Sequence, residues 1–137
     1  MSLTTALASL RTAIEATGLH ATEETDNSRL LDMSRGEFDA AYLVRVESAV
    51  TLYRELKRSP EAYRCRIAVE IGTTHDHNES FADCQIRAGD RSTAVIAALI
   101  AARHTDVINI YSDGTSTAEV ADRQHVTTHR FQLIFRG

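Results

Sequence analysis

Apolar and polar positions alternate clearly at the C-terminal end, where His129, Phe131, Leu133 and Phe135 would share one face of a strand and Thr128, Arg130, Gln132 and Arg136 the other. Period two marks a half-buried strand, and only Ile134 breaks it. Chain ends fray unless tied down, so a strand over 127–137 implies a place within a sheet. A second alternation, Tyr63, Cys65, Ile67, Val69 and Ile71 against Arg64, Arg66 and Glu70, predicts a strand over 63–71. Between Phe38 and Ser48, Tyr42, Val44 and Val46 oppose Leu43, Arg45 and Glu47, giving a first strand that pairs with 63–71 as a hairpin. Their connection, 49–62, is longer than a tight turn needs, and loops of that kind are often functional.

Two segments follow helical spacing instead. Leu3, Leu7, Leu10 and Ile14 form one stripe, with Ser2 as a cap and Gly18 as a left-handed stop. Asp90 is placed to cap a second helix, 91–103, whose apolar face is Val95, Ile96, Leu99 and Ile100 and whose alanines permit close packing. The stretch 20–39, with six acids against Arg29 and Arg35, reads as including a long loop, and 73–88 reads as a polar stretch. Val107 to Tyr111 predicts a strand, Asp113-Gly114 a turn, and Thr117 to Ala121 a short return. Together these elements predict one α+β domain over 1–137, a mainly antiparallel sheet with two helices packed on it.

At 137 residues the chain suits a single core. A net charge of -4 argues against nonspecific grip on nucleic acid, which requires a basic surface. The longest nearly unbroken apolar run, 94–102, is too short to span a bilayer, and the N-terminus lacks the pattern of a leader, so the expectation is a soluble, unprocessed protein with no membrane partner. The two cysteines, Cys65 and Cys84, lack metal-site spacing, and Cys65 alternates like a small core residue.

Motifs for chemistry are sparse. Neither GxGxxG, GxxxxGK[ST] nor GxSxG occurs. His75-Asp76-His77, with Glu79 and Asp83 nearby, is the one cluster suited to a divalent metal, but no third ligand follows at a recognisable spacing. Expected are no cofactor, no metal and no enzymatic activity, with a small metal-dependent α+β enzyme using His75 and His77 as the competing reading. Charge is distributed unevenly: Arg54, Lys57, Arg58, Arg64 and Arg66 outnumber Glu55 and Glu61, whereas 20–39 and 70–84 are acidic. Complementary lobes of this kind allow head-to-tail association, which closes a ring when the repeated rotation closes.

The N-terminal helix around Leu7, Leu10 and Ile14, the segment 36–46 leading into the hairpin, the strand Arg64-Cys65-Arg66-Ile67-Ala68-Val69-Glu70-Ile71, the Asp90-capped helix and the closing strand 130–135 together resemble the tail terminator proteins of long-tailed bacteriophages. The resemblance covers nearly the whole chain and rests on size, element order and apolar pattern. It implies a virion protein assembled in the host cytoplasm, a homo-oligomeric ring, commonly a hexamer, that caps the tail tube, stops its polymerisation and offers a surface to the head connector. DNA would pass through without specific binding. On that footing Arg54, Lys57 and Arg58 are candidates for docking a partner, and Leu99 and Arg103 for the subunit interface. Other neck or tail completion proteins of similar size share the pattern.

Overall fold

A computed structural model describes residues 2–21, 38–47, 51–53, 62–101, 103, 104, 106–121 and 123–136. In chain order these form α1 (Ser2–Glu15), β1 (His20–Ala21), β2 (Ala41–Val46), β3 (Thr51–Tyr53), β4 (Ala62–Thr74), α2 (Phe81–Ala101), β5 (Val107–Ala121) and β6 (Gln124–Arg136). Among the described residues the strands make one mixed sheet in the order β1-β2-β4-β6-β5, with β3 also pairing β4. Only β1 and β2 run parallel. The architecture is the α+β one predicted.

The long partners β4 and β6 lie at the centre, antiparallel from Ala62↔Arg136 to Thr74↔Gln124. Successive side chains of a strand point to opposite faces. One face of β4 therefore carries Cys65, Ile67, Val69 and Ile71, matched by Phe131, Leu133 and Phe135 of β6 and by Tyr42 and Val44 of β2. Both helices cover this face: Leu10 and Ile14 of α1 and Val95 and Leu99 of α2 join the same buried cluster. Tyr63 and Phe135 stack at its edge with ring centroids 5.5 Å apart. Burying such side chains stabilises by about 1.5–3 kcal/mol each, before the entropy of ordering them. Cys65 is buried here as a small apolar group, and burial raises the pKa of its thiol.

α1 ends as the sequence indicates, with Gly18 in the left-handed region at φ 100°. Other boundaries differ. α2 begins at Phe81, so Asp90 is an exposed mid-helix residue and caps nothing. The cap is Ser80, whose Oγ accepts from the Asp83 backbone N–H at 3.1 Å. Ala88 and Cys84 extend the buried stripe about two and three turns upstream of Val95, converting much of the expected polar stretch 73–88 into helix. Within the expected connection 49–62, β3 prolongs the hairpin: β2 and β3 lie end to end along β4, offset by a two-residue shift in register.

Asp113-Gly114 is not a turn. It sits inside β5 at an irregularity where Ser112 pairs Phe131 and Ser116 pairs His129, leaving extra residues on the β5 side. Glycine and aspartate tolerate the conformations of a bulge as readily as those of a tight turn, which is why the dipeptide misleads. The reversal comes later, beside Arg123 at φ 63°, so the partner of β5 is the terminal strand itself, which starts at Gln124 instead of Thr127.

The second sheet face divides in two. Near Gly72 it is apolar, with Phe38, Ala41, Leu43 and Val126 clustered. A Cβ on Gly72 would meet the Phe38 carbonyl oxygen and lie 3.2 Å from its ring carbons, so only glycine admits Phe38. Further along β4 the same face becomes charged.

Candidate functional site

Two ionic regions stand out, and the first is turned inward. The 75–80 turn is held by its own backbone: the Glu79 N–H donates to the Asp76 carbonyl at 3.1 Å, and the His75 N–H to the Arg123 carbonyl at 2.8 Å. From α2, Arg87 reaches this turn and donates to both Glu79 carboxylate oxygens, at 2.8 and 3.1 Å, and to the Thr74 carbonyl. One helical turn on, Arg91 donates to Asp39 Oδ1 at 2.8 Å, Gly72 O at 3.0 Å and Thr73 Oγ1 at 3.1 Å. Asp39 also accepts from the Thr74 N–H at 3.0 Å.

Burial pushes the Asp39 carboxyl upward, but the Arg91 and Thr74 hydrogen bonds and the charges of Arg91 and Arg87 outweigh it and leave it below the usual range. The Arg87 hydrogen bond likewise lowers Glu79, against desolvation. This clasp fastens α2 to the C-terminal end of β4 and to Asp39 just before β2. Its arginines donate to carboxylate, carbonyl and hydroxyl oxygens of the fold itself.

The histidines of the competing metal reading belong to its rim. His75 Nε2 lies 2.7 Å from the Glu79 carbonyl oxygen, and its ring packs 6.2 Å from Phe81 and 6.0 Å from His125. His77 is exposed on the turn. Among the described residues no group of three His, Cys, Asp or Glu side chains converges as a metal site. His125 is buried, and burial followed by the charge of His75 lowers its pKa. Burial lowers His129 as well. Both act as neutral packing groups at neutral pH.

The second region faces outward, on the sheet face opposite the helices. Register puts Arg45, Ala68 and Arg130 side by side across β2, β4 and β6, with Glu47, Arg66 and Gln132 in the next row and Arg64 beyond. Tyr111 of β5 continues the row of Gln132. Arg45 pairs with Glu70 at 2.6 Å and Arg130 with Glu47 at 2.8 Å. Among the described residues, Arg45 and Arg130 thus each meet a glutamate on this face, and Glu70 is almost completely buried. Arg64, Arg66 and Tyr111 are exposed.

Of the residues singled out from sequence, Arg54, Lys57 and Arg58 lie outside the described residues. Leu99, expected at a subunit interface, is fully enclosed in the protomer core between α2 and the sheet and has no surface to offer a neighbour; Ile100 beside it is 48% exposed. Arg103 is exposed and lines an open groove along α1 with Thr5, Ser9, Thr12 and His104. The acidic lobe at 70–84 is largely consumed internally, since Glu70 is covered by Arg45, and Asp76 and Glu79 serve the clasp. Arg45, Arg130 and Tyr111 were not singled out because they are distant in sequence and meet only through strand order.

Neither a protein-family profile nor a curated protein sequence matches the chain. No described helix is long and apolar enough to cross a membrane.

Proposed function

We propose that the protein is a phage tail terminator: a non-enzymatic ring subunit that caps the end of the tail tube, stops its growth and joins it to the head connector. The observation that carries this reading is the sheet edge. β5 runs for 15 residues and, among the described strands, pairs on one side only. Ile108 and Tyr111 on it are 51% and 49% exposed. A long edge strand with exposed apolar side chains is a hazard for a solitary protein and an asset for one that completes another assembly. The rim of a tube presents unsatisfied subunit contacts of the same kind, and strand addition is a standard way to cover them. The inward use of the ionic cluster around Arg87 and Arg91 also favours a structural role.

Tail-tube subunits polymerising in the presence of the protein provide the test. Substoichiometric protein should shorten the tubes and arrest them with blunt ends, as read by sedimentation and length distribution. Unchanged tube lengths at saturating protein would refute the proposal. Zinc or iron bound in stoichiometric amount, with hydrolytic activity lost on His75→Ala, would favour the small metal-dependent enzyme instead.

A further inference from the structure

We infer that the first turn of α2 is an acid-released lid over His125. At neutral pH Phe81 closes over the imidazole; a proton on His125 drives Phe81 and residues 80–84 off the sheet, while the clasp keeps the rest of α2 in place. The device belongs to this chain alone and holds whatever the chain assembles with.

His125 is the second residue of β6, opposite Thr73 of β4 and Val120 of β5, and is 5% exposed. Its Nε2 is buried and, among the described residues, meets no hydrogen-bond partner. The ring centroid of Phe81 lies 5.4 Å away and that of His75 6.0 Å away. A neutral imidazole tolerates this setting, because one of its nitrogens carries no proton. An imidazolium donates from both nitrogens, and here one of them would face no acceptor.

Little on the elements that meet at His125 compensates a charge there. Among the described residues, the 75–80 turn brings His75, Asp76, His77 and Glu79, α2 brings Asp83, Cys84 and Arg87, and the approach to β6 brings Arg123. Glu79 is the carboxylate whose charge favours a proton on His125, but both its oxygens already accept from Arg87. Asp76 and Asp83 are exposed to solvent. Burial, followed by the charge of His75, therefore holds the His125 pKa below its ordinary value. The helix adds to this: Phe81 is the first residue of α2, and the unsatisfied N–H groups of a helix start make a poor neighbour for a cation.

The lid is also the loosest part of α2. Ser80, Phe81, Ala82 and Asp83 are all exposed, and only Cys84 of this turn is buried. Glu79 and Arg87 bound the segment and bond to each other, so 80–84 can loosen without freeing either. With the lid open, His125 regains an ordinary pKa near 6.5, whereas the closed form refuses the proton. The open population thus rises as pH falls through that value, by up to about tenfold between pH 7.5 and 5.5.

The two buried thiols test this. Cys84 lies in the lid turn and reports its opening, while Cys65 in the core reports any wider unfolding. Labelling with dithiodipyridine is compared at each pH with His125→Gln, so that the thiols' own pH dependence cancels. Relative to that variant, wild-type Cys84 should react up to tenfold faster at pH 5.5 than at pH 7.5, with Cys65 unchanged. Phe81→Ala, which removes the lid and keeps the histidine, should raise the NMR titration midpoint of His125 toward 6.5. A Cys84 ratio that ignores pH, a Cys65 that follows in step, or a midpoint unmoved by Phe81→Ala would overturn the inference. Should a variant not fold, hydrogen exchange of the wild-type protein decides: faster opening at pH 5.5 confined to 80–84 supports the lid, and uniform loosening that includes 65–71, or none, overturns it.

Discussion

The two arginine groups of this protein are built from the same side chain and sit in opposite settings. Arg87 and Arg91 stand on consecutive turns of one helix and are met by Asp39, Asp76, Glu79 and three backbone or hydroxyl oxygens, so that their charge is spent holding α2 to the sheet. Arg45, Arg64, Arg66 and Arg130 come from three strands and share the sheet face opposite the helices, where Arg45 meets Glu70 and Arg130 meets Glu47. Setting separates them: the first pair is ringed by acceptors fixed in the fold, whereas the second group stands where solvent reaches it and screens its charge.

The comparison breaks most readily on the clasp side. Gly72 both seats Phe38 and offers its carbonyl to Arg91. Gly72→Ala should cost about 3 kcal/mol, because the clash falls on backbone as well as a ring, and thermal unfolding would read it. Arg91→Gln removes a charge that Asp39 needs; with Asp39 42% exposed, solvent screens the pair and the expected loss is about 1–2 kcal/mol. In contrast, Arg66→Glu, at an exposed position, should shift the melting temperature little, as surface substitutions do. A large melting shift with Arg66→Glu and none with Arg91→Gln would invert the assignment.

Smaller, but informative about the same contrast, is the response to acid. His125 and His129 have folded pKa values below the ordinary 6.5, so the unfolded chain binds protons that the native one refuses, and stability falls as pH drops below about 6.5. Asp39 and Glu79 have depressed carboxyl pKa values, so the stability they contribute is present above the ordinary carboxylate range and lost as pH falls through their lower folded values. Stability should thus decline in two stages, histidines first. His129→Gln together with His125→Gln should abolish the first stage; a decline near neutral pH that survives both substitutions would contradict this origin.

Much of this architecture was legible in the chain. The alternations at 63–71 and 127–137 placed the central strands because one face of each is buried under helices and the pattern records it. Gly18 and the Leu3–Ile14 stripe placed α1 for similar reasons. What misled were residues whose local meaning is double. Asp90 has the chemistry of a cap and stands mid-helix, while Ser80-Phe81-Ala82-Asp83 carried the true start in a serine followed three residues later by an acid. Asp113-Gly114 serves a bulge as well as a turn.

The ionic clasp was beyond sequence reading because Asp39 lies 52 positions from Arg91, and only the meeting of the β4 end with α2 joins them. The arginine face was half visible: Arg64 and Arg66 belonged to a basic segment, but Arg45 and Arg130 join it only through the strand order β2-β4-β6. Glu70, counted as part of an acidic lobe, is buried under Arg45 and does not act as surface charge.

Electron microscopy of the purified protein mixed with preformed tail tubes bears most directly on the assembly role. The account predicts closed rings seated on tube ends, one layer thick, with free tube ends disappearing as protein is added. Bare tube ends beside isolated monomers at saturating protein would contradict it.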